Sequence, residues 1–247
     1  KTAEEVVEVS LMWDTAGVQT SNAVQYFYHA HLSIGRLLPA RGPTAGESLV
    51  TVVGTGFREE GLFLRMGASI LSSSDVMWVS SSIVMVTVPA SKGTGKRAVE
   101  ASANNGADFT SDGKEYLYEA GATVEALLPS RGMSGQAGQV VTVVGQHFAE
   151  SGELSCRFGD NPAVSGLYIS SSMVACTVPL REAGSVMVSA SNNGQDAGPS
   201  VLHYVYEAWQ AISMRPTPSA GPVSGGTVVR VEVSGLQTEV GAVRCRF

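Results

Sequence analysis

The stretch Cys156–Pro179, CRFGDNPAVSGLYISSSMVACTVP, begins and ends with segments in which apolar and polar residues alternate. Cys156 and Phe158 fall on one side of the first segment, and Cys176 and Val178 fall on one side of the last. Because side chains alternate across a β-strand with period two, each segment predicts a strand whose cysteine is on the apolar face. A disulfide between the two cysteines would lie inside a β-sandwich and join two of its strands.

This stretch belongs to a repeat, because its features return along the chain at an offset of 88–92 residues. Such a fixed period indicates tandem copies of one structural unit. The units are predicted to cover residues 31–120 and 121–208, with partial units over 1–30 and 209–247. The repeated features are Leu37-Leu38-Pro39 with Leu127-Leu128-Pro129, Val50–Gly54 with Val141–Gly145, Phe57 with Phe148, Gly67 with Gly159, Ser80–Ser82 with Ser170–Ser172, Thr87–Pro89 with Thr177–Pro179, Asn104–Gly106 with Asn192–Gly194, and Tyr116–Ala120 with Tyr204–Ala208.

The composition is typical of a β protein with many turns, and it argues against several classes of function. Charged residues make up only 15% of the 247 residues, against about 25% in an average domain. The net charge is −6 and no basic stripe is visible, which disfavours nucleic acid as a partner. No apolar run approaches the ~18 residues that a membrane-spanning helix requires.

The order of motifs within each unit resembles the IPT/TIG domain, an immunoglobulin-like fold. The motifs run Gly-Gly-Thr-x-Val, Val-x-Gly-x-x-Phe, Cys-Arg-Phe-Gly, a serine-rich turn, Cys-x-x-Pro, Val-x-Val-x-x-Ala-x-Asn-x-Gly and Tyr-x-Tyr, and the second unit fits best. The resemblance implies an all-β chain of tandem immunoglobulin-like sandwiches. Family members occur as tandem arrays in extracellular and cell-surface proteins, as single domains of transcription factors, and beside polysaccharide-acting enzymes.

The first unit departs from this pattern, because Leu64 and Val86 stand where Cys156 and Cys176 stand in the second. Cysteines that are present together and absent together are expected of a disulfide, which persists in oxidising compartments and so favours secretion. Two reduced, buried cysteines are the alternative. Cys245 repeats the position of Cys156, and we expect it to be unpaired in this segment.

The two partial units predict that a longer chain continues past both ends. Neither set of strands buries its apolar face alone, and each leaves unpaired strand edges. The alternative is that the ends of neighbouring molecules complete each other head to tail by strand addition.

No set of residues has the pattern of an enzyme or of a metal or cofactor site. His29 and His31 lack further ligands, and Asp108 and Asp112 lack the spacing of a calcium loop. No nucleophile motif or glycine-rich phosphate loop is present. We therefore predict no catalytic residues, no metal and no cofactor.

Three tryptophans, Trp13, Trp78 and Trp209, are candidate interface residues, since tryptophan is enriched at the centres of binding surfaces. Burial in contacts between units is the alternative. The stretch Pro216–Ser219 is compatible with an O-linked glycan.

The predicted function is that of a non-catalytic extracellular structural or adhesive repeat, in a filament, a matrix or a surface array. Its partner would be protein, through self-association or neighbouring repeats, and neither a nucleic acid nor a membrane span is expected. The alternatives are the stalk of a cell-surface receptor ectodomain and an accessory region of a carbohydrate-active enzyme.

Overall fold

The computed structural model describes residues 5–13, 18–19, 23–72, 74–208 and 213–234, and these residues form strands, turns and loops without a helix. Apolar residues alternate with polar ones along most strands, so that one face of each sheet is buried and the other is wet. The all-β prediction is confirmed. The boundaries of the units at 30/31, 120/121 and 208/209 stay predictions.

The first unit folds as two sheets that face each other. One sheet has the strand order β10-β11-β7-β5 and the other β6-β13-β12-β8-β9. All neighbours are antiparallel except β6 and β13, which pair in parallel. The strands are β5 (Ser33–Leu38), β6 (Arg41–Pro43), β7 (Leu49–Thr55), β8 (Phe63–Met66), β9 (Ser69–Leu71), β10 (Val76–Ser80), β11 (Ile83–Thr87), β12 (Gly95–Ser102) and β13 (Lys114–Glu119).

The second unit repeats this arrangement, with one strand that passes between the sheets and joins them into the order β14-β16-β19-β18-β17-β20-β21-β15. That strand is β18, which pairs with β17 through Ser165 and with β19 from Gly166 onward. The strands are β14 (Thr123–Leu128), β15 (Arg131–Met133), β16 (Val140–Gln146), β17 (Ser155–Phe158), β18 (Val164–Ser170), β19 (Met173–Thr177), β20 (Gly184–Ser191) and β21 (His203–Glu207).

The corresponding strand of the first unit is divided into β9, which ends at Leu71, and β10, which begins at Val76. The first unit has two more residues than the second between the glycine at 67 or 159 and the following serine turn, which accounts for the break. Asp75 closes the turn by accepting hydrogen bonds from the Ser72 backbone N–H and hydroxyl, both at 2.9 Å. The two units therefore have equivalent cores but differ where this strand crosses between the sheets.

Cys156 and Cys176 lie in facing strands and are joined in the core of the second unit. Their Sγ atoms are 1.99 Å apart and their Cα atoms 6.3 Å apart, and both residues are fully buried. Leu64 and Val86 are buried in the core of the first unit, in opposite sheets, as the repeat predicts. Two apolar side chains thus occupy the places that a covalent bond spans in the neighbouring unit.

Two repeated sequence features are explained by repeated hydrogen bonds. The backbone N–H of Phe57 donates to Ser81 and that of Phe148 to Ser171, each at 3.0 Å, so the serine turn anchors the loop after β7 or β16. The Tyr118 hydroxyl donates to Pro89 O at 2.9 Å. In the second unit the last strand is tied in the same way to the Thr-Val-Pro segment.

The asparagine pairs are shifted by one residue relative to the sequence match. Asn104 accepts a hydrogen bond from Ser102 Oγ at 2.8 Å, and Asn193 accepts one from Ser191 Oγ at 3.0 Å. Asn104 therefore corresponds to Asn193, and not to Asn192 as the match of identical residues indicated. The loop of the first unit is one residue longer, and identity alone could not place that insertion.

The flanking strands contribute parts of the same fold. Strands β1 (Glu5–Val9) and β4 (Val24–Tyr28) pair as β12 and β13 do, and β22 (Ser213–Thr217) and β23 (Arg230–Ser234) pair as β5 and β7 do. The short strands β2 (Met12–Trp13) and β3 (Val18–Gln19) form a hairpin between β1 and β4.

Replacing both cysteines by alanine should lower the free energy of unfolding of the second unit by about 3 kcal/mol, because the bond closes a loop between residues 20 apart. Urea denaturation of the oxidised wild type and the Cys156→Ala/Cys176→Ala variant measures the difference. Wild type treated with reductant should approach the variant, whereas reductant should not change the variant itself. Equal stabilities of the wild type with and without reductant would contradict a stabilising bond.

Candidate functional site: the joint between the two units

The loop after β20 carries the side chains that connect the second unit to the first. Asn193 Nδ2 donates to Arg41 O at 3.0 Å, and Ser48 Oγ donates to Asp196 Oδ2 at 2.5 Å. Gln195 makes two further bonds to the Leu49 backbone, as acceptor from its N–H at 3.2 Å and as donor to its carbonyl at 3.0 Å. Both edges of the loop are therefore fixed to the neighbouring unit.

The joint is buried to the degree of a core. Ser48 is fully buried, and Asn192 and Asn193 are 6% and 4% exposed. Buried polar groups are stable only when they are hydrogen-bonded, and here Ser48 and Asn193 form bonds that cross between the units. Separation of the units would therefore break these hydrogen bonds, and water would have to replace the lost partners.

Hydrogen bonds within the second unit hold the loop after β20 in the conformation that contacts the first unit. Asn192 Nδ2 donates to His147 O at 2.8 Å, and the Ala149 N–H donates to Asn192 Oδ1 at 3.0 Å. Asn193 Nδ2 also reaches Asp196 Oδ2, at 2.6 Å, and thereby holds the carboxylate toward the first unit. A preorganised loop loses less conformational entropy on docking.

Tyr116 links the core of the first unit to the joint. Its ring is fully buried against Tyr118 in an edge-to-face arrangement with centroids 5.1 Å apart, and its hydroxyl lies among the polar groups of the joint. The hydroxyl has no hydrogen-bond partner of normal geometry within the described residues. Burial raises the pKa of Tyr116 to about 12; the adjacent Ser48 hydroxyl opposes this shift and the Asp196 carboxylate adds to it.

Gly42 is required where β6 passes this tyrosine. A β-carbon at this position would collide with the Tyr116 hydroxyl and with Ser48 Oγ. The same holds for Gly132, where a β-carbon would collide with the Tyr204 hydroxyl. A glycine beside the paired tyrosines is thus a structural requirement of both units.

Glu119 is an ionisable group at the edge of the joint whose pKa is shifted. Arg41 Nη1 lies 3.4 Å from Glu119 Oε2, while Glu119 Oε1 is buried without a partner in the described part of the chain. Burial raises the pKa of the Glu119 carboxyl, and Arg41 and the nearby Asn192 amide oppose this shift. Ionisation of Glu119 is therefore less favourable in the folded protein than in water, and it lowers the free energy of unfolding.

In the second unit, the hydroxyl of the tyrosine equivalent to Tyr116 is hydrogen-bonded to a side chain of the same unit. Gln139 stands at the position of Ser48, and its Oε1 accepts a hydrogen bond from the Tyr204 hydroxyl at 3.0 Å. Gln139 Nε2 donates to Met133 O at 3.2 Å, so both ends of the Gln139 side-chain amide are hydrogen-bonded. The polar cluster that requires a neighbour in the first unit is thus internal to the second.

The structure tests the residues expected from the sequence only in part. Trp78 lies on β10, is 38% exposed, and donates from Nε1 to Phe57 O at 3.3 Å, away from the joint. The side chain of Trp13, and Trp209 and Cys245, lie outside the described residues. An interface role for the tryptophans stays a prediction. The joint residues at 48, 193 and 196 were missed, although asparagine and aspartate recur together in both loops.

The remaining candidates are surface groups or have known structural bonds. His147 and His203 are exposed, and Asp112 accepts a hydrogen bond from the Ile34 backbone N–H at 2.7 Å. Among the described residues no three histidine, cysteine, aspartate or glutamate side chains are grouped as a metal site would require. Nor does that part of the chain hold a helix long and apolar enough to cross a bilayer.

Comparison with known proteins decides the family. The model of the IPT/TIG domain matches residues 32–118 and again 122–206, which is more than half of the chain. The chain belongs to the IPT/TIG domain family. The two matches coincide with the two sandwiches that meet at the joint.

Among relatives of this IPT/TIG chain is human Fibrocystin-L, 31% identical over 126 residues. The match covers 49% of this chain and 3% of that protein, so the chain spans a small fraction of its relative. The solved structure of the full extracellular region of plexin A4, domains 1 to 10, aligns with 96% of this chain and 24% of that one. Its TM-score is 0.51 at 13% identity, which supports the immunoglobulin-like fold.

Replacing Asp196 by alanine should lower the free energy of unfolding by about 1–3 kcal/mol, because the buried Ser48 hydroxyl and the Asn193 amide lose their acceptor. Thermal and urea denaturation measure the loss. The matched control is Asp108→Ala, since Asp108 has the corresponding place in the loop of the first unit but is exposed. Equal losses in the two variants would show that the contacts across the joint contribute nothing.

Replacing Glu119 by glutamine should stabilise the protein relative to the wild type, and this stabilisation should be larger at pH 7 than at pH 4. A raised pKa means that the folded protein binds the proton more tightly, so the contribution to stability is full at low pH and is lost as pH rises through the folded pKa. Melting temperatures of wild type and Glu119→Gln should diverge as pH rises through the raised pKa of Glu119, because only the wild type ionises at this position. The exposed Glu182→Gln control should follow the wild type, and a constant difference at all pH values would contradict the prediction.

Proposed function

We propose that this chain is part of the stalk of a cell-surface protein, in which successive IPT/TIG units hold other domains at a fixed separation. The observation that carries the proposal is the joint, where the side chains of Ser48, Asn193, Gln195 and Asp196 form hydrogen bonds between the units and those of Ser48 and Asn193 are buried. A flexible linker exposes such groups to water, whereas this joint needs both units to satisfy them. Fixed spacing follows from that dependence.

An extracellular setting is supported by the bonded cysteines at 156 and 176, because disulfides persist in oxidising compartments. The extracellular region of plexin A4, whose fold this chain shares, is in keeping with the same setting. A protein partner and the possible glycan at Pro216–Ser219 remain proposals. The proposal includes no catalytic activity.

The filament or matrix role is the second form of the proposal, and it differs from the stalk in one respect. A stalk stays attached to the cell that made it, while a matrix component is released and assembles outside. No contact among the described residues favours the accessory-region alternative.

An epitope tag inserted between Ala137 and Gly138 separates the two forms, because both residues are exposed and no atom lies within 4 Å of a β-carbon at Gly138. Cells that express the natural full-length protein with this tag are stained without permeabilisation. Label that remains on the washed cell supports the stalk, and label recovered from the medium or the surrounding matrix supports the second form. Staining only after permeabilisation would contradict both.

A further inference from the structure

Arg65 has two partners on the outer face of β8 in the first unit. Its Nε donates to Glu100 Oε2 at 2.6 Å, and its guanidinium carbon lies 4.3 Å from the centroid of the Phe109 ring. The carboxylate satisfies the charge of the guanidinium, and the ring covers its face. The first unit therefore supplies both partners of this arginine from its own strands and loops.

Arg157 holds the same place in the second unit. Arg65 pairs with Glu100 across β8 and β12, and Arg157 pairs with Ser189 across β17 and β20. Because these strands correspond in the two units, Ser189 stands where the carboxylate of Glu100 stands in the first. A hydroxyl on a two-atom side chain cannot neutralise the guanidinium.

Equivalent backbone hydrogen bonds fix the correspondence of the loops after β12 and β20. In each unit a backbone N–H of the loop donates to the carbonyl of a buried alanine in the preceding strand. These bonds join Thr110 N to Ala101 O at 2.8 Å and Gly198 N to Ala190 O at 3.2 Å. The residue before the donor is Phe109 in the first unit and Ala197 in the second, so alanine stands where the ring stands.

Arg157 thus lacks both of the partners that Arg65 has, and a groove lies in their place. No other described residue forms an ion pair or a side-chain hydrogen bond with Arg157, which is exposed. The groove beside it is lined by small uncharged side chains, those of Ser155, Ala163, Ser189 and Ala197. Ser155 widens the groove, since the first unit has Phe63 at this position.

We propose that this groove binds a protein partner that presents a carboxylate next to an aromatic ring. The carboxylate accepts hydrogen bonds from the Arg157 guanidinium, as Glu100 does from Arg65, and the ring stacks on the face of the guanidinium, as Phe109 does. Arginine suits this role because its planar fork matches a carboxylate while its face stacks on aromatic rings. The partner thereby supplies from outside what the first unit supplies itself.

The groove is formed before any ligand arrives. Gln195, on the loop that forms one wall, bonds to the Leu49 backbone of the first unit at 3.2 and 3.0 Å. A preorganised wall loses little entropy on binding. A protein is favoured over an acidic glycan because a sugar acid offers a carboxylate without the aromatic ring that the space at Ala197 accommodates. The proposal concerns what the second unit binds and is independent of whether the chain forms a stalk.

The first test titrates the isotope-labelled intact chain with the dipeptide N-acetyl-Glu-Phe-amide and follows the NMR chemical shifts of the groove. Binding should be saturable, about tenfold weaker for N-acetyl-Gln-Phe-amide, which lacks the charge, and about threefold weaker for N-acetyl-Glu-Ala-amide, which lacks the ring. No saturable binding, or equal binding of either control dipeptide, would overturn the proposal. Glucuronate that binds as tightly as N-acetyl-Glu-Phe-amide would also overturn it and would indicate an acidic glycan instead.

The second test changes the groove itself. Arg157→Gln should bind N-acetyl-Glu-Phe-amide about tenfold more weakly, whereas the matched control Arg36→Gln, at another exposed arginine, should bind as the wild type does. The variant Ser189→Glu/Ala197→Phe gives Arg157 the partners that Arg65 has, and it should also bind about tenfold more weakly because the site is then occupied. Melting temperatures establish that every variant is folded. Wild-type binding by Arg157→Gln or by the double variant would overturn the proposal.

Discussion

The two units depend on a strand that serves two purposes at once. In β13 the rings of Tyr116 and Tyr118 fill the core of one sandwich, while the hydroxyl of Tyr116 lies in the joint with the next. The backbone of the same strand holds β6 in parallel. Any change that moves this strand alters the core, the closing edge of the sheet and the contact between units together.

The joint differs from a contact between two finished surfaces. Ser48 and Asp196 lie on different units, and within the part of the chain that the structure describes neither has another hydrogen-bond partner across the joint. The first unit thus leaves part of its polar cluster for its neighbour to complete. A polar contact of this kind fixes geometry, because hydrogen bonds tolerate little displacement, whereas an apolar contact would allow the units to slide.

Much of the fold could be predicted from the sequence, because the signals for it are local and repeated. Alternation placed Cys156 and Cys176 on buried faces, and the repeat placed Leu64 and Val86 in the equivalent core. The joint could not be predicted in this way. Its hydrogen bonds join residues 146 to 152 positions apart, and which of two neighbouring asparagines faces the other unit depends on one inserted residue in a loop.

The contrast between Ser48 and Gln139 has a consequence for how such proteins evolve. Exchange of whole units by recombination is often treated as neutral when the units share a fold. Here the short Ser48 leaves room for an incoming loop, whereas the Gln139 side chain already occupies the equivalent space beside Tyr204. Swapping the order of the two units would bring the loop onto a site that is already full, so the succession of units along the gene is itself under physical constraint.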